Sequence, residues 1–201
     1  MKINESLNLV VPVRSDDKGT IIHAYHSPIS REVFEANYRV LAATKSSLTA
    51  KGVHFLMDTG PRIASLTLRD EGKKDAADRG ELDARGNPLD GGASALEAEI
   101  KRLTTILAPS PTGWKNLPVD IAIAQGVIDA EEWDEAASGI AFFTCHFAMA
   151  PRANRKRIAD ATASVLQGSI TSSSLSEFVA SLPRLTPEES SAPKAGYAVA
   201  S

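Results

Sequence analysis

One cysteine among 201 residues, Cys145, leaves nothing to close an intrachain disulfide, so no covalent cross-link supports the fold and a reducing compartment suits the chain. Aromatic side chains are scarce at 5%, which argues against a protein built around ligand pockets and for helices packed through small residues. No apolar run approaches the roughly 20 residues that span a bilayer. The longest falls within residues 140–150 and is broken by Thr144, Cys145 and His146. The opening MKINESLNLVVPV lacks the sustained apolar stretch and small-residue cleavage site of a secretory leader. Neither sign of charge dominates: 22 Lys and Arg against 25 Asp and Glu give a formal charge of -3, hence no general attraction to nucleic acid or an anionic membrane.

The linear signatures of common reaction centres are also missing. There is no phosphate-binding loop, dinucleotide fingerprint, nucleophile elbow or cysteine ligand set. His23 and His26 stand three apart on an expected strand, where odd spacing sends side chains to opposite faces and spoils joint metal ligation. Cys145 and His146 are neighbours on an expected helix and point about 100° apart, poor geometry for a nucleophile and its base. The carboxylate groups around Asp70, Asp129 and Glu188 read as solvation and helix capping rather than acid–base pairs. The basic run from Arg152 to Arg157 has no interleaved aromatics and reads as a solvated helix face. The expectation is a non-enzymatic protein with no catalytic, cofactor or metal site.

What is present is a hydrophobic fraction of 43% with 23% charged residues, enough for one sizeable core. Alternating Leu7, Leu9, Val11 and Val13, then turn chemistry at Ser15 to Gly19, then Thr20 to Tyr25, predict an N-terminal β-hairpin. Pro12 cannot donate to a ladder and places the first strand at an edge or at an interruption. Ser30 caps a helix expected over residues 31–50, with Ile29 and Phe34 as a hydrophobic staple and Val33, Phe34, Asn37, Tyr38, Leu41, Thr44 and Leu48 as its buried stripe. A second helix begins near Pro61 and carries Ile63, Ala64, Leu66 and Leu68. Residues 69–92, charged and glycine-bearing, read as an exposed mobile insertion. Ser94 with Glu97 suggests a capping box for a helix through Leu96, Ile100, Leu103, Ile106 and Leu107, ended by Pro109.

Pro118 opens a short helix. Asp129 and Glu132 form a capping box for a longer one whose apolar face holds Trp133, Ala136, Ala137, Ile140, Phe143, Thr144 and Phe147. Further helices are expected after Arg152 and after Ser174. From Pro183 onward the composition predicts a disordered tail. The fold class is therefore α+β and predominantly α-helical: an N-terminal β-hairpin packed with a multi-helix domain over residues 1–182, then the tail 183–201.

Several segments resemble the tail assembly chaperones of siphophage-type tailed bacteriophages. They are MKINESLNLVVPV, SPISREVFEANYRVLAATKSSL, GPRIASLTLRD, EIKRLTTILAP with GWKNLPVDIAIAQGVIDAEEW, and SSSLSEFVASLP, which together span most of the chain. The resemblance implies a factor in the host bacterial cytoplasm that binds the phage tape measure protein, promotes tail-tube protein assembly around it and is not retained in the virion. Trp133 and Phe147 are the possible partner-binding side chains, since aromatics carry most interface hot spots. Weak self-association is expected from an edge hairpin. The alternative is a structural tail-completion or connector protein that joins a ring by strand addition.

Overall fold

The computed structural model describes residues 7–16 and 19–183; the expected C-terminal tail lies, past Pro183, outside the described residues. The chain runs β1 (Asn8–Asp16), β2 (Gly19–His26), α1 (Arg31–Thr49), α2 (Val53–Asp58), α3 (Gly60–Asp78), α4 (Ala93–Arg102), β3 (Thr104–Ser110), β4 (Gly113–Pro118), α5 (Val119–Ala124), α6 (Ala130–Ala148), α7 (Arg155–Val165), β5 (Ser169–Thr171) and α8 (Leu175–Ser181). It is a helix-dominated α+β fold, as the periodicity predicts. No helix among the described residues is long and apolar enough to cross a membrane.

Capping chemistry sets several helix starts. Ser30 Oγ accepts from the Val33 amide at 3.2 Å. Asp129 and Glu132 form the reciprocal box, at 2.8 Å to the Glu132 amide and 2.9 Å from the Asp129 amide. Ser174 and Glu177 repeat it at α8. Each cap satisfies helix amides that have no carbonyl partner within the helix.

The five strands form one antiparallel sheet ordered β4-β3-β2-β1-β5. Alternation along each strand sorts side chains to two faces. Leu9, Val11, Ile22, Ala24, Ile106 and Ala108 join the main core with Leu41, Leu68, Leu96, Ile140 and Phe143. Val10, Tyr25 and Leu107 face the other way, onto Leu175, Phe178, Val179 and Leu182 of α8 and the residue after it. That second face is fastened at both ends of α8. The Tyr25 hydroxyl and Asn8 Nδ2 donate to the Ser173 carbonyl at 2.7 and 3.2 Å, and Trp114 Nε1 donates to the Pro183 carbonyl at 3.1 Å.

At the centre of the helical layer lies α6, which packs on α1, α3, α4, α7 and β1. Its residues Ser138 to Cys145 are buried without interruption, so this segment is not amphipathic but covered all round. Its polar groups are satisfied: Thr144 Oγ1 donates to the Ile140 carbonyl at 2.8 Å, and Ser138 Oγ accepts from the Ser65 amide at 3.3 Å.

Four expectations need correction and a fifth is narrowed. The helix expected to reach Pro109 stops at Arg102, and Thr104–Ser110 is β3, because Thr104, Thr105 and Ile106 find partners on β2 while Thr105 to Ser110 pair with β4. Pro109 is tolerated there since the β2 ladder has ended at Leu107. The Ser94–Glu97 box does not form: Asp90 accepts from the Gly92 and Ser94 amides at 2.9 and 3.2 Å, and Glu97 pairs with Arg69.

Residues 69–78 continue α3 instead of opening an insertion, with Gly72 and Ala76 buried. The remaining turn is tied by Asp83, which accepts from the Arg85 and Asn87 amides at 2.8 and 2.9 Å. Tyr38 is 53% exposed, and Val40 takes the place expected for it in the core. Finally, β2 is interior beside β3, whereas β5 covers only Asn8 to Val10 of β1, so β1 from Val11 onward has no ladder partner on its outer side and is interrupted after Pro12, as that proline implies. Pro12 lies beyond the stretch of β1 that β5 covers and beside a register shift, so its missing donor costs no ladder bond to β5. The edge that could support self-association is thereby narrowed to the part of β1 after Val10.

Gly72 is required where the 79–92 turn folds back on α3, since a Cβ there would collide with the Asp90 carbonyl oxygen and crowd Ala93 Cβ at 2.9 Å. Gly72→Ala gains up to about 1 kcal/mol in helix propensity, but the clash with backbone outweighs it, and a net loss of about 1–3 kcal/mol is expected. Urea unfolding checks this; a stabilised variant would mean that the turn does not pack on α3.

Candidate partner-binding grooves

The titratable groups singled out in the sequence do not converge. His26 is buried on the core face, whereas half-buried His23 lies on the opposite face against Trp114, ring centroids 5.5 Å apart. Thr104 Oγ1 donates to the Ile100 carbonyl at 2.8 Å and so accepts from His26 Nδ1 at 2.9 Å, which fixes the Nδ1–H tautomer and leaves Nε2 buried without a partner. Burial pushes the His26 pKa down to about 3, a nearby Ile100 carbonyl offsetting part of the effect. Burial likewise lowers His23 and His146 and pushes the Cys145 thiol up to about 12. Cys145 is thus a protonated core thiol. His146 Nδ1 is spent on the Phe142 carbonyl at 2.8 Å. No group of three His, Cys, Asp or Glu able to hold a metal occurs among the described residues.

Concave surface, by contrast, is found at both ends of α6. Toward its N-terminal end a groove of about 760 Å³ runs between α3, α4 and α6. Its floor holds Trp133, Ala137, Ser138, Ala141 and Ile100, and its rim alternates in sign, with Arg62, Arg69 and Lys101 against Glu97, Glu131, Asp134 and Glu135. Trp133 is only 9% exposed, so it anchors the core and offers the groove an edge. Toward the C-terminal end a cleft of about 450 Å³ is walled by Ile29, Phe34, Phe143 and Phe147. Phe147 is half-buried there, stacked on Phe143 at 5.1 Å.

The two aromatics therefore serve different clefts. Fourteen positions separate them, about 21 Å along a helix rising 1.5 Å per residue. A third cleft, about 420 Å³ between β1, the α2–α3 junction, α6 and the end of α7, is lined by Glu132, which holds Arg14 in a bidentate pair at 2.6 and 2.7 Å. Glu132 also closes the α6 capping box, so one carboxylate joins the sheet to the start of the central helix.

The rim residues Arg62, Leu66, Arg69, Glu97 and Lys101 were not identified from sequence, because they come from separate helices that meet only in the fold. Leu66 carried the one available signal: it is apolar yet 58% exposed, off the buried stripe of Ala64, Leu68, Gly72 and Ala76. Comparison with family models, with curated proteins and with solved structures finds no match to the chain. The protein is a helix-dominated α+β domain with clefts at both ends of its central helix.

Buried neutral histidines link stability to pH. In the unfolded chain His26 titrates near 6.5 but in the fold near 3, so between these values the unfolded state binds the extra proton. Stability is then fully present above about pH 6.5 and is lost as pH falls toward 3. His26 by itself makes the protein about 2 kcal/mol less stable at pH 5 than at pH 7, and His23 and His146 act in the same direction. Denaturation midpoints at the two pH values check this, with His26→Gln, which can still donate to Thr104, expected to flatten the difference. An unchanged difference would show that His26 is not the source.

Proposed function

We propose that the chain is a phage tail assembly chaperone that takes a helical segment of the tape measure protein into the groove between α3, α4 and α6, then yields it to tail-tube subunits in the host cytoplasm. The observation that carries this reading is the groove's composition. Ala137 on its floor and Ala98 on its wall let a partner backbone approach closely, and the Trp133 edge gives one large apolar contact. Exposed Leu66 extends the apolar strip, and since Arg69 pairs with Glu97 and Lys101 with Asp120, the rim carboxylates Glu131, Asp134 and Glu135 are left to meet basic side chains of a helix. A chaperone needs a contact that is specific yet reversible, and a small apolar floor within a solvated rim supplies that. The sequence resemblance supplies the identity of the partner. The reading is non-enzymatic and needs no cofactor.

Ala98 is exposed on α4 and lines the groove, so Ala98→Trp fills it without entering the core. Co-expression with the tape measure protein, followed by pull-down and a solubility assay, should give a soluble complex with the wild-type chain. The variant should bind at least about 10-fold more weakly at an unchanged urea midpoint. No association, with both proteins folded, rejects the chaperone reading; equal binding by Ala98→Trp moves the contact out of this groove.

A further inference from the structure

The cleft at the other end of α6 differs from its neighbours in charge. Arg31, Arg152 and Arg155 line it together with Ile29, Phe34, Phe143 and Phe147, and no acidic side chain is in that lining, although the chain as a whole carries -3 and Arg31 is paired on its outer side with Glu35 at 2.7 Å. The other two clefts each include several carboxylates. Lys156 and Arg157 follow immediately on α7, exposed, and among the described residues no carboxylate pairs with Arg155, Lys156 or Arg157. Of the basic run that reads in sequence as a solvated helix face, Arg152 and Arg155 thus line an apolar cleft, while Lys156 and Arg157 lie outside its lining.

We infer that this cleft is a docking site for an acidic peptide segment of a partner protein, with one large apolar side chain inserted between Phe34 and Phe147 and a flanking carboxylate held by Arg155. The volume, about 450 Å³, suits a side chain and a short stretch of backbone rather than a whole domain. Guanidinium groups pair carboxylates in a fixed fork, and beside an apolar wall such contacts are less screened than on open surface.

A nucleic acid fits less well. Base recognition on a basic surface relies on open ring faces, whereas Phe147 already has Phe143 stacked on it and the Arg155 guanidinium 5.8 Å from its centroid, and Phe143 is fully buried. What remains open is an apolar wall, which selects a side chain. This site is separate from the tape measure groove and does not depend on that reading.

Selection from a displayed library of random peptides of about twelve residues tests it, with Arg155→Glu and Arg31→Glu as counter-selections. Both arginines are exposed; Arg31→Glu gives up the solvent-exposed Arg31–Glu35 pair, a small loss that glutamate in the first turn of α1 partly offsets through the helix dipole, so the fold should be kept. Peptides retained by the wild-type chain and lost on Arg155→Glu should carry Asp or Glu around a Phe, Leu or Trp. Their synthetic versions should bind at least about 10-fold more weakly to Arg155→Glu, and with undiminished affinity to Ala98→Trp. A selection that yields no Arg155-dependent peptide, or a consensus without acidic residues, overturns the inference. So does Arg155-dependent binding of oligothymidylate or of phosphatidylserine vesicles in place of the peptides.

Discussion

A helix with no solvent-facing side must be covered from every direction, and that requirement organises this molecule. Residues Ser138 to Cys145 of α6 are all buried, so α1, α3, α4 and α7 and the sheet are arranged around them as a jacket. Small side chains make the close approach possible: Gly139 leaves room for Leu166, whose nearest carbon would stand 3.2 Å from an added Cβ, and Gly60 likewise accommodates Phe142 at 3.1 Å. Large ones, above all Phe143, fill the remaining space. With few aromatics in the chain, placing Phe142, Phe143, Phe147 and Trp133 on this one helix concentrates the dispersion and burial where they stabilise most.

That jacket explains where the clefts fall. The helix is closed along its middle but not at its ends, where α3 and α4 diverge beside Trp133 and where α1 begins and α7 starts beside Phe147. The same element that holds the core together therefore presents a partly covered aromatic at each end. Charge separates the two: alternating signs at one rim, arginines at the other. The Arg14–Glu132 pair is half-buried and bidentate, which makes it a positional link between sheet and helix rather than a large source of stability.

On the far side of the sheet α8 performs a simpler task. Antiparallel strands that place Val10, Tyr25 and Leu107 outward leave an apolar face, and a seven-residue amphipathic helix covers it. So short a helix has little stability of its own. Its Ser174 capping box and the side-chain bonds to the carbonyls of Ser173 and Pro183 fasten it at both ends, which compensates for the modest area in between.

Much of the helical layout was legible in the sequence, because caps and periodicity act over three or four residues and carry their partners with them. Ser30, Asp129 with Glu132, and Ser174 with Glu177 begin helices where they should, and the N-terminal hairpin forms where the alternation changes. Other choices needed the tertiary structure. The run Thr104 to Leu107 is compatible with helix or strand, and an open ladder on β2, some eighty positions earlier, decides it. Gly72 and Gly91, which read as flexibility, instead mark where two backbone segments touch. Whether Trp133 or Phe147 is the more buried depends on which helices cover each end of α6, and the clefts themselves consist of residues that meet only after folding. Local hydrogen bonds fix where an element begins; which neighbour covers it is fixed by contacts whose partners lie far apart in the chain, and for that the sequence carries no short-range signal.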